Sequence, residues 1–192
     1  HGLSTDDFVV TSLRPSTVFG ASPRLRCDIV FNNLVACAYT TGKIEIMSDG
    51  TPWRPVVHIK DVCSAFIAGV EAPSNLVFGR AFNVGIPNGN FTVRDIAKAA
   101  QRSVPGCELI FTGEHTDPRT YRVSFNRILT ELKDYYKPKW DLDSGGKELV
   151  EMFKRVGFTN AHFKGKETIR LQQLTYLKDT KRIDDLLRME NL

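Results

Sequence analysis

Three kinds of side chain in this sequence could do chemistry. His58 and Asp61, in "VVHIKDV", make a tempting acid/base pair, because an imidazole titrates near neutrality. The same two residues also have a local use. Asp61 opens an apolar-periodic run and is placed to cap a helix, and His58 hydrogen-bonds nearby; this reading is preferred. His115 and His162 have no evident partner. The four cysteines, Cys27, Cys37, Cys63 and Cys107, form no C-x-x-C pair, and no histidine falls at zinc-finger spacing from them. No metal site is expected. Cys37 and Cys63 lie in apolar helical patterns and read as small core residues in a reduced, cytosolic protein. The third kind is the guanidinium. Arg54 stands between Trp53 and Pro55, and its fork suits paired phosphate oxygens. A surface or structural ion pair would use it equally well.

The elements that must position these groups follow from periodicity. Phe8 to Leu13 is an apolar, β-branched run that reads as a buried strand stopped by Arg14-Pro15. From Asp28 to Tyr39 the spacing is helical, and Thr40-Thr41-Gly42 supplies the stop. Ile44 and Ile46 flank Glu45 in strand alternation, and Ser48 to Pro52 is turn chemistry. A short strand at Val56 to Ile59 leads into a helix that Pro73 ends. Ala81 to Gly85 reads as a strand, and Thr92 caps a helix from Val93 to Ser103. Glu108 to Phe111 is a further strand. Ser124 and Ser144 open two more helices, and the segment after Gly165, free of Gly and Pro, reads as helical.

The composition is that of a soluble globular domain: 192 residues, 42% hydrophobic and 25% charged. No apolar run is long enough to span a membrane. The net charge of +4 is mild, and the basic residues of the tail are interspersed with Glu167, Asp179, Asp184 and Asp185. That mixture describes a solvated helical surface, so neither nucleic acid nor membrane is expected as a partner.

Five segments carry a family likeness in their order and spacing: "LRPSTVFG", "NNLVACAYTTGKIEIMSDG", "WRPVVHIKDVCSAF", "AFNVG" and "DPRTYRVSF". With these the chain resembles the C-terminal half of the extended short-chain dehydrogenase/reductases, the NAD-dependent sugar-nucleotide epimerases and dehydratases. The resemblance implies an α/β fold: the C-terminal portion of a Rossmann-type doubly wound parallel sheet, a small mixed α/β substrate-binding subdomain and a helical tail. In this division residues 8–20, 56–72 and 80–86 are residual Rossmann-sheet elements. Residues 21–55 and 87–140 form the substrate-binding subdomain, and 141–192 a helical C-terminal extension.

The resemblance also assigns roles. Arg54 falls where the family places an arginine reaching the diphosphate. Arg119, in the late loop "DPRTYR" that begins at Asp117, is the second cation, with Arg122 close by as the alternative. Asn33 matches the family's helix-start asparagine, beside Leu34 and with Asn32 competing for the position. Thr17 stands where several epimerases carry an asparagine near the sugar, which leaves the sugar preference open. Glu45 and Met47 match the strand that flanks the base. Pro15, Ser16 and Val18 correspond to the stretch lining the nicotinamide, where Ser16 could hydrogen-bond the carboxamide.

The family's other motifs are not in these residues. No G-x-x-G-x-x-G follows an early strand to cradle a pyrophosphate. Tyr39/Lys43 and Tyr135/Lys139 have Y-x-x-x-K spacing, but neither lies upstream of "LRPSTVFG", where the family keeps its proton-transfer dyad. The expectation is therefore no catalytic residue in this chain, no turnover, and NAD as a cofactor of the complete enzyme that these residues alone do not hold tightly. The ligand implied is a nucleotide-diphosphate sugar, a UDP-sugar by default. A second reading is a non-catalytic sugar-nucleotide binding module, or a partner subunit completing another chain. In either case the first strand would lack a neighbour, and self-association through that exposed sheet edge is expected.

Overall fold

The computed structural model describes residues 4–5, 7–113 and 118–189. His115 and Asp117 lie outside the described residues. The elements, in chain order, are β1 (Ser12–Pro15), β2 (Thr17–Phe19), α1 (Val30–Thr41), β3 (Lys43–Ile46), β4 (Trp53–His58), α2 (Ile59–Glu71) and α3 (Ser74–Val77). They continue with β5 (Ala81–Val84), β6 (Asn90–Thr92), α4 (Val93–Ser103), β7 (Glu108–Phe111), α5 (Asn126–Glu131), α6 (Leu142–Arg155), α7 (Asn160–Phe163) and α8 (Arg170–Asp179). The strands pair mostly in parallel: β1 with β5, β2 with β4, and β3 with β7. β6 joins β4 antiparallel. This is the expected α/β class.

The first strand differs from its sequence reading. It begins only at Ser12 and runs through Arg14 and Pro15 instead of stopping there. Pairing decides this, because β5 offers Ala81 to Val84 as partners for Ser12 to Pro15. Phe8 reaches only Thr5, in an isolated bridge, and is 61% exposed. Proline is tolerated because β1 has one strand neighbour among the described residues, so its missing N–H falls where no ladder needs it.

Several boundaries shift for equally local reasons. β4 begins at Trp53, because Trp53 to Pro55 pair with β6, a strand that turn-rich sequence concealed. α4 has the expected Thr92 cap, completed by Asp95 into a capping box. α6 is capped by Asp141, with Ser144 as the reciprocal partner rather than the first residue. Ser124 sits one residue ahead of the N-cap position of α5, which is Phe125, and its hydroxyl accepts the Asn126 N–H at 3.4 Å. Beyond α8, which buries no residue, the tail is turns and one bridge, so it is helical only in part. Cys63 is exposed rather than core and Cys37 is half-buried, whereas Cys27 and Cys107 are buried.

Two apolar clusters hold the elements. One gathers Phe31 and Val35 of α1, Ile44 of β3, Ile96 of α4, and Leu149 and Phe153 of α6. The other gathers Val57, Ala65, Phe82 and Val84 with Ile128, Leu132 and Tyr136.

A polar joint links the two clusters. His58 ends β4 and caps α2: its Nδ1 accepts from the Lys60 N–H at 3.3 Å, so the ring proton sits on Nε2. Nε2 lies 2.9 Å from Oε2 of Glu148 on α6. The ring is fully buried and stacked on Trp140 at 4.2 Å. Asp61, expected as the cap, instead accepts the backbone N–H groups of Lys139 and Trp140 at 2.9 and 3.1 Å. Burial pushes the Glu148 carboxyl up, but the Lys60 ammonium and His58 more than offset it, leaving the group below the usual carboxylate range.

Gly20 approaches this joint at φ +112°, where a Cβ would lie 2.3 Å from His58 Nε2. Gly20→Ala is expected to cost about 1–3 kcal/mol through overpacking, read as a lower urea midpoint with an unchanged slope. Burial holds the His58 pKa below its ordinary value, with Glu148 pulling the other way. The folded state therefore favours the neutral ring, while the unfolded chain takes up a proton near pH 6.5. Stability is expected to hold above about pH 6.5 and to fall as the pH drops below it toward the depressed folded pKa. Urea unfolding at several pH values should show this decline in the wild type and a flatter limb in His58→Gln.

Candidate functional site

β1 and β2 are one extended run broken at Ser16. The Ser16 N–H still reaches across to the Val84 carbonyl at 3.1 Å, and from Thr17 onward the pairing passes to β4. Around this change of partner lie two cavities that share Thr17 and Tyr121 as lining residues.

The larger, about 620 Å³, is lined by Thr17, Asn33, Leu34, Arg54 and Arg119 among others. These are five of the seven residues assigned above to the sugar nucleotide, drawn from β2, α1, β4 and the segment after β7. Met47 does not line it; this residue follows β3, 44% exposed, and its carbonyl accepts from the Thr112 hydroxyl. Glu45 pairs with Lys43 at 3.3 Å on the same surface. Leu34 is buried and gives the cavity an apolar wall.

The competition between Asn32 and Asn33 is settled by helix phase. Asn32 points into the core, where its Oδ1 accepts from the Gly20 N–H and its Nδ2 donates to the Arg26 carbonyl. Asn33, half-buried, faces the cavity and donates from Nδ2 to the Cys27 carbonyl at 2.8 Å. The two arginines of "DPRTYR" part in the same way. Arg119 and Tyr121 line the cavity, and Arg122 stacks over the Trp53 ring at 4.4 Å.

Arg54 has a structural duty alongside any binding one. Its Nη1 donates to the carbonyls of Trp53 and Arg119, tying the late segment to β4. That segment is held further by Asn90, which exchanges two hydrogen bonds with the Val123 backbone. A carboxylate also lines the cavity: Asp28, paired bidentately with Arg26 at 2.9 and 3.0 Å. This pairing holds its pKa down and neutralises it against an incoming anion.

The second cavity, about 380 Å³, is lined by Pro15, Ser16, Thr17, Asn83 and Tyr121 among others. The Ser16 Oγ is buried and, among the described residues, has no hydrogen-bond partner. An unpaired buried hydroxyl is costly. Val18, the third residue assigned to the nicotinamide side, faces a different hollow, with Gly20 and Arg24.

Residues missed by sequence reasoning are Tyr121 and Glu148. Tyr121 bridges both cavities, two residues after Arg119 in a stretch without helix; period-two alternation could have found it. Glu148 carried no signal, being ninety residues from the histidine it meets. His58 and Asp61 line neither cavity; His58 keeps a local role in capping α2, whereas Asp61 serves a long-range contact instead of the cap expected of it. His162 is not without a partner: its Nδ1 lies 2.8 Å from the Thr159 hydroxyl. The described residues hold no group of His, Cys, Asp and Glu that could bind a metal, and no helix long and apolar enough to cross a membrane.

Comparison with known proteins supplies the context. Residues 4–85 match the family model described as the NAD dependent epimerase/dehydratase family. The fold resembles UDP-glucuronic acid 4-epimerase from Bacillus cereus, solved with UDP-glucuronic acid and NAD, at TM-score 0.61 and 24% identity over 78% of this chain and 47% of that one. It also resembles UDP-glucose 4-epimerase from Thermotoga maritima, at TM-score 0.60 and 24% identity, covering 75% and 45%. A dTDP-glucose 4,6-dehydratase from Bacillus anthracis matches at TM-score 0.58 and 18% identity, covering 83% and 46%. The chain thus spans under half the length of each of these structures. The family model matches residues 4–85, and over most of its length the chain shares the fold of these enzymes.

Proposed function

We propose that this chain is the substrate-binding half of an NAD-dependent sugar-nucleotide epimerase or dehydratase, closest in kind to a UDP-sugar 4-epimerase. The observation that carries the reading is the convergence of Thr17, Asn33, Leu34, Arg54 and Arg119 on one cavity from four separate segments. Two guanidinium groups at one wall suit a diphosphate, which Arg recognises with a planar fork. Ser16 lines the adjoining cavity, and its hydroxyl, without a partner among the described residues, would on this reading turn to the polar amide of a nicotinamide. NAD would supply hydride transfer there; the residues at hand would orient its ring end, and no glycine-rich cradle for its pyrophosphate is among them. Thr17 lines both cavities, which on this reading would set it between sugar and cofactor.

On this reading the 192 residues alone bind a nucleotide-diphosphate sugar weakly, hold NAD poorly and turn nothing over. Isothermal titration with UDP-glucuronic acid, UDP-glucose and dTDP-glucose tests it. Arg54→Ala is expected to weaken binding by tenfold or more, in line with about 1.5–3 kcal/mol for a charge-assisted hydrogen bond. An equal response in wild type and variant, or none to any nucleotide sugar, would refute the site.

The reading also includes self-association through the bare edge of β1. Size-exclusion chromatography should show dimers or larger species growing with concentration; a monomer at high concentration would count against it.

A further inference from the structure

One wall of the Arg54 cavity is held from far along the chain. Asp28 and Asn33 line that cavity, Asp28 from the run ahead of α1 and Asn33 from near the start of the helix. Behind them Cys27 is buried, with both its backbone polar groups committed. Its carbonyl accepts from Asn33 Nδ2 at 2.8 Å, and its N–H donates to the Thr168 carbonyl at 2.9 Å. Two residues after Thr168, the Arg170 N–H donates to the Asp28 carboxylate, whose main partner is the Arg26 fork. Neither Thr168 nor Arg170 lines the cavity.

Thr168 is fixed by the turn that carries it. It is buried, and its hydroxyl donates to the His162 carbonyl at 2.6 Å, which closes the turn leading out of α7. Phe163, next to His162, is buried in the first cluster together with Cys27. α8, by contrast, holds nothing down: it is ten residues long and buries none of them. A helix of that length is marginal in water by itself. The grip on the cavity wall therefore resides in Thr168 and in the first N–H of α8, not in helix packing. Thr168 and Arg170 lie outside residues 4–85, which the family model matches, whereas the wall they hold lies inside.

We propose that Thr168 to Arg170 form a positioning strap for the nucleotide-sugar cavity. The strap fixes the Cys27 peptide and the Asp28 carboxylate without touching the ligand. Through Cys27 it sets where Asn33 stands, and through Asp28 it keeps a negative charge turned to its own donors. A carboxylate released beside a diphosphate would repel it, and an amide displaced from its place would lose its hydrogen bond to the ligand. The inference rests on the reading that this cavity takes a nucleotide-diphosphate sugar. Binding and strap closure are then linked: whatever loosens the strap weakens the ligand, and the ligand in turn tightens the strap.

Four variants of the full chain test the strap. Thr168→Val removes the hydroxyl that closes the turn and keeps the side-chain shape; Thr168→Ser keeps the hydroxyl. Arg170→Pro deletes the N–H given to Asp28. It does so at the first position of α8, where proline is tolerated and the extended Ile169 suits a following proline. Arg170→Ala keeps that N–H and loses only the side chain. Isothermal titration with UDP-glucose is expected to give an affinity about fivefold lower in Thr168→Val and in Arg170→Pro, with Thr168→Ser and Arg170→Ala matching the wild type. In the wild type, saturating UDP-glucose is expected to slow hydrogen exchange at the Cys27 amide severalfold. Should Thr168→Val not fold, Arg170→Pro and the exchange measurement decide the matter. Wild-type affinity in either folded strap variant, or Cys27 exchange that the ligand leaves unchanged, would overturn the strap while Arg54-dependent binding still upheld the cavity. An equal loss in Arg170→Ala would move the effect to the guanidinium and overturn it too. No binding of any nucleotide sugar by the wild type would sink the ligand reading and the strap together.

Discussion

One extended run of eight residues changes partners midway, and the rest of the architecture is arranged around that change. Ser12 to Pro15 pair with β5, and Thr17 to Phe19 pair with β4. A strand whose neighbours diverge leaves a gap at its end that side chains cannot fill. In open α/β sheets this is where ligands bind. Here the gap is at Ser16 and Thr17, and the two cavities meet there.

Once the gap exists, other elements are placed to line it and keep it open. α1 presents Asn33 and Leu34 because helix phase sends Asn32 inward to bind the Gly20 N–H. β4 presents Arg54 because its first half is pinned antiparallel to β6. The segment after β7 has no regular structure, and side chains hold it in place instead: Arg54 binds its Arg119 carbonyl and Asn90 its Val123 backbone. The groups that would recognise a ligand thus also fasten the wall on which they stand.

The most tempting catalytic residues in the sequence are spent on the fold. His58 and Asp61 anchor α6 and the segment ahead of it to the end of β4 and the start of α2, through Glu148 and two backbone N–H groups. Both are buried, and burial of a polar side chain requires partners of this kind. A neutral imidazole serves as a joint because it can accept on one nitrogen and donate on the other.

The sequence by itself determined the fold class, most element types, the Thr92 cap and most of the arginine and asparagine positions around the larger cavity. These are properties of short windows: periodicity, turn chemistry and the order of five motifs. Tertiary structure decided what depends on distant partners. It started the first strand at Ser12 rather than Phe8, because a strand exists only where another pairs with it. It chose Asn33 over Asn32 and Arg119 over Arg122, because both members of each pair are chemically alike and only their facing differs. It moved the cap of α2 from Asp61 to His58, left Met47 outside the cavity, and joined His58 to Glu148. Such contacts leave no trace in local spacing, since the residues that make them come together only after the chain has folded.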